Sequence, residues 1–154
     1  MGAVDRFREE AEARGLDLRV REFPEGTKTA ADAARAIGCD VAQIVKSVVL
    51  VADGEAVVAL TSGANRADTA KVAAALGASE VRKADAGEVR EATGFAIGGT
   101  PPLGYPEPLR VLMDLHLLGF REVWAAAGTP MTVFPIEPEV LRVASGAEPT
   151  DLAE

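Results

Sequence analysis

The sequence has little of the chemistry that most catalytic and metal sites require. It contains one cysteine, Cys39, and one histidine, His116, among 154 residues. A single cysteine excludes an internal disulfide, and one cysteine with one histidine does not make a usual zinc ligand set. Neither residue has a neighbouring partner of the kind found in Ser-His-Asp or Cys-His sites. We therefore expect no metal centre and no histidine-assisted nucleophile.

Long apolar runs and a broad basic surface are missing as well. No run approaches the ~20 residues that cross a bilayer, and the N-terminal segment is charged, without the apolar core of a signal peptide. We expect a cytoplasmic protein with no membrane association. The formal net charge of −8 argues against a surface covered by nucleic acid, but it permits one local basic patch.

The sequence does contain enough apolar residues, 48% of the chain, to build a core. Since no linker or repeat interrupts it, we expect one domain over residues 1–154. Helices are predicted at residues 3–14, 29–38, 69–76, 85–91 and 137–144, and strands at residues 18–23, 43–52, 56–62, 109–114, 122–127 and 131–136. Asp53-Gly54 predicts a hairpin. Strands outnumber helices and hairpins dominate, which predicts an α/β (α+β) domain whose mixed, mostly antiparallel sheet is surrounded by helices.

One of only four lysines lies inside a predicted strand. Lys46 carries the one charge of the run QIVKSVVLV (43–51), and burying an unpaired ammonium is costly. Two interpretations stay open at this point. In the first, Lys46 extends to the rim of the sheet or pairs with an acid such as Asp114. In the second, it lines a cleft and holds an anionic or carbonyl group.

A segment rich in glycine and proline follows the fourth predicted helix, with the sequence GGTPPLG (98–104). It is no Walker A loop, because Tyr105 stands where that motif has lysine. The segment is either a rigid turn or a cradle whose main-chain N–H groups bind an oxyanion or position water. The mid-strand lysine favours the cradle.

Four segments together resemble a known family. IVKSVVL, TGFAIGGTPPLG, VLMD and VWAAAGTP occur in the order and spacing of the YbaK-type aminoacyl-tRNA deacylases. These include the editing domain inserted in bacterial prolyl-tRNA synthetases and its free-standing relatives. The resemblance covers roughly residues 25–145 and implies a free-standing member with a strongly curved, largely antiparallel sheet.

The resemblance also implies roles for particular residues. Lys46 matches a strand lysine that faces the pocket near the 3′-terminal adenosine and phosphate of tRNA. Asp114 matches an acid at the end of a later strand, and Gly128, with Thr129 beside it, matches the glycine of a loop that closes the pocket. The segment that lies against the aminoacyl ester is matched by Gly99, Thr100, Pro101, Pro102, Leu103 and Gly104.

Two positions depart from relatives of known specificity. Members that clear alanine carry a histidine shortly after the glycine matched by Gly128, and residues 129–133 contain none. Relatives that act on cysteinyl-tRNA often have serine where Pro101 stands. Both departures leave the amino acid open, but not the reaction class.

The expected reaction is hydrolysis of the ester between an incorrect amino acid and the 3′ end of tRNA. A positioned water attacks, loop N–H groups stabilise the oxyanion, and the ribose hydroxyl assists proton transfer. Lys46 anchors the terminal phosphate or polarises nearby groups, and Asp114 orients Lys46 or the loop. Alanine is the first expected side chain, followed by serine and threonine. No cofactor is required, and the cations expected to touch tRNA are Lys28, Arg66, Lys71 and Arg82.

Two other functions are compatible with the same residues. A non-catalytic module would bind aminoacyl-tRNA or a synthetase without hydrolysis, and an esterase for small esters would ignore the tRNA body. An aminoacyl-tRNA synthetase is left open as a further partner, because a net charge of −8 predicts weak tRNA binding by the chain alone.

Overall fold

The computed structural model describes residues 2–27 and 29–154, which contain five α-helices and eight strands. The helices are α1 (Ala3–Ala13), α2 (Ala30–Ile37), α3 (Thr69–Leu76), α4 (Ala86–Thr93) and α5 (Pro138–Ser145). The strands are β1 (Arg21–Glu22), β2 (Ile44–Ala52), β3 (Glu55–Ser62), β4 (Val81–Lys83), β5 (Arg110–Asp114), β6 (Val123–Ala126), β7 (Thr132–Ile136) and β8 (Glu148–Thr150).

Side-chain caps fix the start of three helices, α2, α3 and α4. At the start of α2, the Thr29 hydroxyl accepts a hydrogen bond from the N–H of Asp32, and Gly38 ends the helix with a φ of 86°. Helix α3 is capped by Asp68, whose carboxylate accepts from two N–H groups of the first turn. These bonds are made within a few residues, so local sequence is sufficient to predict them.

The strands form a mixed sheet in the order β1-β7-β6-β2-β3-β5-β8, and β4 pairs with β2 outside this path. Four pairings are antiparallel (β1–β7, β2–β3, β2–β4, β6–β7) and three are parallel (β2–β6, β3–β5, β5–β8). The prediction of an α+β fold with a mixed sheet and flanking helices is confirmed. Hairpins are fewer than predicted in the described part of the chain, because helices connect most of the other strands.

The hairpin of β2 and β3 is central to the sheet and pairs over eight residues of each strand. Its turn residues, Asp53 and Gly54, have φ of 49° and 85°, as Asp-Gly hairpin turns require. One face packs on the main core around Phe7 and Phe134, whose ring centroids are 5.0 Å apart. The other face packs beneath Val72 of α3. Both faces of β2 are therefore covered, as its apolar run predicts.

Two short strands escape prediction, and a third is shorter than predicted. β4 and β8 have three residues each, and β1 has two residues where the pattern predicts six. Such short strands carry no readable alternation, since their pairing depends on strands distant in sequence.

On the side away from β3, strand β2 pairs with two different strands along its length. β6 pairs with Ile44 and Val45, whereas β4 pairs with the segment Leu50–Ala52. Residues 46–49 of β2 therefore have a strand neighbour on the β3 side alone. This interruption of the sheet positions the candidate site.

Candidate active site

A cavity of about 340 Å³ opens at the interruption of the sheet. It is bounded by residues 44–49 of β2, residues 125–126 of β6 and Ala84 after β4. Gly98 and Thr100 of the Gly/Pro-rich loop also line it. Small and apolar groups predominate along these surfaces, so the cavity suits a ligand of modest size that is partly apolar.

A second cavity, of about 560 Å³, lies beside the first and shares Lys46, Val48 and Lys83 with it. Arg66 also lines this second cavity, and the acidic residues Asp68 and Glu154 line it too, so three cations face two acids there. The three cations are Lys46, Lys83 and Arg66. None of them takes part in the ion pairs found among residues 2–27 and 29–154. Unpaired cations in a concave surface attract anionic groups, and phosphates in particular.

Lys46 stands at the boundary between the two cavities, and it is half-buried. Its Nζ donates a hydrogen bond to the main-chain oxygen of Asn65, at 2.5 Å. Burial lowers the pKa of Lys46, the charges of Lys83 and Arg66 lower it further, and Asp114 opposes the shift. Of the two interpretations open at the sequence level, the geometry agrees with a lysine that lines a cleft.

Asp114 lies beneath this boundary, buried at the end of β5 with 1% of its surface exposed. Its Oδ2 accepts hydrogen bonds from the N–H of Ser62 at 3.1 Å and from Nδ2 of Asn65 at 2.9 Å, and its Oδ1 accepts from the N–H of His116 at 3.0 Å. Asn65 in turn holds Lys46. Asp114 is therefore connected to Lys46 through Asn65, an arrangement that suits the expected role of orienting this lysine.

The Gly/Pro-rich loop offers fewer donors than its length suggests. The N–H of Gly99 donates to the main-chain oxygen of Ala96 at 3.0 Å, and Pro101 and Pro102 have no N–H. Both prolines are buried, so among the residues predicted to contact the ester, Thr100 is the one that lines the cavity.

Tyr105 fastens the far side of this loop. Its hydroxyl donates to the main-chain oxygen of Pro101 at 2.7 Å, and burial raises the pKa of the phenol. The phenol therefore stays neutral at physiological pH and serves as a fixed donor.

Three predicted glycines serve close packing between segments. A Cβ on Gly99 would lie 2.7 Å from Cα of Thr129, and one on Gly128 would lie 2.9 Å from the main-chain oxygen of Ala3. A Cβ on Gly104 would approach Cβ of Glu10 to 3.2 Å. The glycines thus let the Gly/Pro-rich loop, the loop after β6 and α1 pack against one another.

The predicted tRNA-binding cations are placed differently from one another. Arg66 lines the second cavity, whereas Nζ of Lys71 is held by Asp151 at 3.1 Å and by the main-chain oxygen of Ala153 at 2.8 Å. Arg82 makes two 2.8 Å bonds to Glu88. The remaining residue of this group, Lys28, lies outside the described residues.

Sequence reasoning misses several residues of the site. Lys83 lines both cavities, as Lys46 does, and Trp124 lines the first one. Asn65 connects Asp114 to Lys46. Asn65 belongs to no motif of the sequence, and Lys83 lies in a strand too short to be recognised. The scarcity of lysine was the one signal that could have marked Lys83.

Two further structural findings bear on function. Among residues 2–27 and 29–154, no group of three or more His, Cys, Asp or Glu side chains is arranged to hold a metal ion. In the same residues, no helix combines the length and the apolar character needed to cross a membrane.

Comparison with known proteins agrees with this architecture. The sequence model of the aminoacyl-tRNA editing domain matches residues 24–143. A crystal structure of a protein proposed to be a trans-editing enzyme for prolyl-tRNA synthetase superposes with a TM-score of 0.94 at 45% identity, over 100% of this chain and 98% of that one. The chain therefore belongs to the aminoacyl-tRNA editing domain family, and it is an aminoacyl-tRNA deacylase.

Curated relatives fall into two groups by length. The proline–tRNA ligase of Citrifermentans bemidjiense is 36% identical over 107 residues, which are 70% of this chain but 19% of the ligase. The uncharacterised protein YwhH of Bacillus subtilis is 30% identical over 123 residues, 79% of this chain and 78% of that protein. The chain thus spans about a fifth of the ligase, and the activity of the whole ligase does not follow from the match.

Proposed function

We propose that this deacylase hydrolyses the ester of tRNA mischarged with a small amino acid, using a positioned water and no protein nucleophile. The observation that carries the proposal is the position of Lys46 between an apolar-walled cavity and a cationic one. A tRNA 3′ end has the matching polarity, because its aminoacyl-adenosine is partly apolar and its phosphates are anionic. The terminal adenosine would occupy the first cavity and the phosphates the second.

The reacting carbonyl would lie beside the Gly/Pro-rich loop. Water adds to the carbonyl carbon, and the N–H groups of Gly98 and Thr100 are the donors we assign to the oxyanion, since both residues line the cavity. The tetrahedral intermediate then expels the ribose oxygen, which takes up a proton with help from the vicinal ribose hydroxyl. The products are a free amino acid and uncharged tRNA.

Lys46 would bind the phosphate of the terminal nucleotide. Its ammonium is partly desolvated and makes one hydrogen bond, to a neutral main-chain oxygen, so two of its N–H groups remain for an anion. A phosphate placed there would reverse the lowering of the Lys46 pKa, because an opposite charge favours the protonated form. The lysine is thus prepared to bind an anion before the substrate arrives.

Arg66 and Lys83 extend this cationic surface along the second cavity. We assign them to the phosphodiesters that precede the terminal nucleotide. Lys28, Lys71, Gly128 and Thr129 stay predictions from the sequence, and the ion pair of Lys71 argues for a structural role. Binding of tRNA by so few cations is weak. Delivery of the tRNA by a synthetase in the cytoplasm would compensate for this weak binding.

Selection of the amino acid would be steric. Ala125, Ala126 and Thr100 leave limited room in the cavity, which favours alanine first and serine or threonine next. A pocket of this kind excludes larger side chains more strongly than it separates those that differ by one methyl or hydroxyl group.

A panel of tRNAs charged with alanine, serine, threonine, cysteine and proline tests the proposal. We expect release of one of the small amino acids, and loss of about 100-fold or more in rate with Lys46→Ala, because substrate positioning contributes this much. Arg142→Ala is the matched control, since Arg142 pairs with Glu139 on the surface of α5. If no member of the panel is released where an established editing enzyme works, the proposal is wrong.

A further inference from the structure

The main-chain edge of β2 inside the first cavity carries hydrogen-bonding groups that the mechanism above does not use. Their direction follows from the register of the hairpin. The two-residue turn joins Ala52 to Glu55, which face each other across it, and in such a turn these two residues form a hydrogen-bonded pair. Even-numbered residues of β2 therefore bond to β3, and odd-numbered residues direct their N–H and C=O groups toward the opposite edge.

Three hydrogen bonds at the ends of β2 agree with this alternation. The oxygen of Val49 accepts from the N–H of Ala84 at 3.1 Å, on the edge away from β3. After the turn begins, the N–H of Asp53 continues on that same edge, with a bond to the oxygen of Glu80 at 2.9 Å. The oxygen of Ile44, an even-numbered residue, accepts on the β3 side instead.

The sheet leaves part of this edge open. Pairing with β6 stops at Val45 and pairing with β4 starts at Leu50. Among residues 2–27 and 29–154, no hydrogen bond is found for the N–H and C=O of Ser47 or for the N–H of Val49. The first cavity lies against these groups, because Ser47, Val49 and residues of both interrupted neighbours line it.

Ser47 exposes its main chain and Cβ rather than its hydroxyl. The residue is half-buried, yet its hydroxyl is inaccessible. The surface that Ser47 offers to the cavity therefore belongs to its backbone and Cβ. An open strand edge of this kind is a template for a ligand that donates and accepts side by side.

We propose that this edge binds the Watson–Crick face of the terminal adenine of tRNA. The C=O of Ser47 accepts from the N6 amino group, and the N–H of Val49 donates to N1. Along one edge of a strand, the C=O of residue i lies next to the N–H of residue i+2, so an acceptor stands beside a donor. Adenine offers the complementary donor and acceptor on adjacent positions. The inference deepens the proposed function, on which it rests.

The neighbouring residues suit this occupant. Lys46 precedes Ser47 and reaches the second cavity, so a base at the edge of β2 places its phosphate near the ammonium. Ile97 lines the cavity with 60% of its surface exposed, and Val89 and Trp124 add apolar surface for the faces of the base. The α-ammonium of the amino acid fits less well, because it has only donors and would leave the N–H of Val49 unpaired.

Substitution within the terminal adenosine tests the inference while the protein stays unchanged. We compare mischarged tRNA that ends in adenosine, 1-deazaadenosine or 7-deazaadenosine. The 1-deaza base lacks the proposed acceptor, so kcat/KM should fall about tenfold, the effect of one hydrogen bond. The 7-deaza base is the matched control, since its changed atom lies away from the Watson–Crick face, and its kcat/KM should stay within about twofold of adenosine. Equal rates for 1-deazaadenosine and adenosine would overturn the inference.

A binding experiment separates this inference from the proposed function. Adenosine monophosphate is titrated into nitrogen-15-labelled protein, and the amide resonances of Ser47 and Val49 are followed. We expect shifts of both amides that 1-deazaadenosine monophosphate does not reproduce at equal concentration. Unmoved amides up to the solubility limit of the nucleotide would contradict the inference. Failure of every charged tRNA to be hydrolysed would defeat the proposed function but would not alter this titration.

Discussion

The link from Asp114 through Asn65 to Lys46 leads to a prediction that separates positioning from catalysis. In Asp114→Asn, an NH2 group replaces one acceptor oxygen. The carboxylate accepts three hydrogen bonds from N–H donors, so at least one donor would face another donor. We expect the free energy of unfolding to fall by about 3 kcal/mol, since a bond to a charged acceptor is lost and a buried N–H is left unpaired.

The same substitution should reduce deacylation although Asp114 lines neither cavity. Asn65 loses a hydrogen bond from its side chain, and its main-chain oxygen, which fixes Lys46 at 2.5 Å, becomes free to move. We expect kcat/KM to fall about 10- to 100-fold, because misplacement by about 1 Å has effects of this size. Urea unfolding and single-turnover deacylation measure the two effects, with Asp17→Asn, an exposed aspartate, as the matched control.

A double-mutant cycle decides whether Asp114 works through Lys46. If it does, Asp114→Asn should have little further effect on kcat/KM in protein that already carries Lys46→Ala. A purely structural role would instead lower activity by the same factor in both backgrounds. That second result would refute the assignment of Asp114 as a positioning residue.

Two more predictions concern charge. Arg66→Ala and Lys83→Ala should each reduce the slope of the logarithm of the binding constant for non-acylated tRNA against the logarithm of the salt concentration by about 0.7, the value for one single-strand phosphate. If both variants had the wild-type slope, neither residue would contact a tRNA phosphate. The Arg82 guanidinium, with the N–H of Asp85, lowers the pKa of Glu88 from 4.5 to about 2. A carboxyl group whose pKa is lower in the folded state than in the unfolded state stabilises the fold at pH values above its unfolded-state pKa. This stabilisation is lost as the pH falls toward its folded-state pKa. Urea unfolding should therefore show that the stability difference between wild type and Glu88→Gln shrinks from pH 4.5 to about pH 2, and a constant difference would contradict the ion pair.

Some residues of the candidate site can be predicted from the sequence, whereas those defined by contacts with distant segments cannot. The resemblance to known deacylases identifies Lys46 and the segment 99–104, because both belong to recognisable motifs. It does not reveal that Thr100 is the one predicted loop residue that lines the cavity, since the N–H of Gly99 bonds within the loop and the prolines have none. Nor does it reveal Asn65, whose side chain contacts Asp114 across 49 residues of chain.

The sequence by itself determined the elements whose causes are local. Thr29, Asp68 and Asp85 begin helices, and Asp53-Gly54 turns the central hairpin, because each acts on N–H groups or φ angles within a few residues. Tertiary structure alone decided where the sheet is interrupted. β4 and β6 pair with β2 from segments far along the chain, and neither reaches residues 46–49. The cavity, the open main-chain edge and the meeting of Lys46 with Lys83 and Arg66 all result from that long-range pairing.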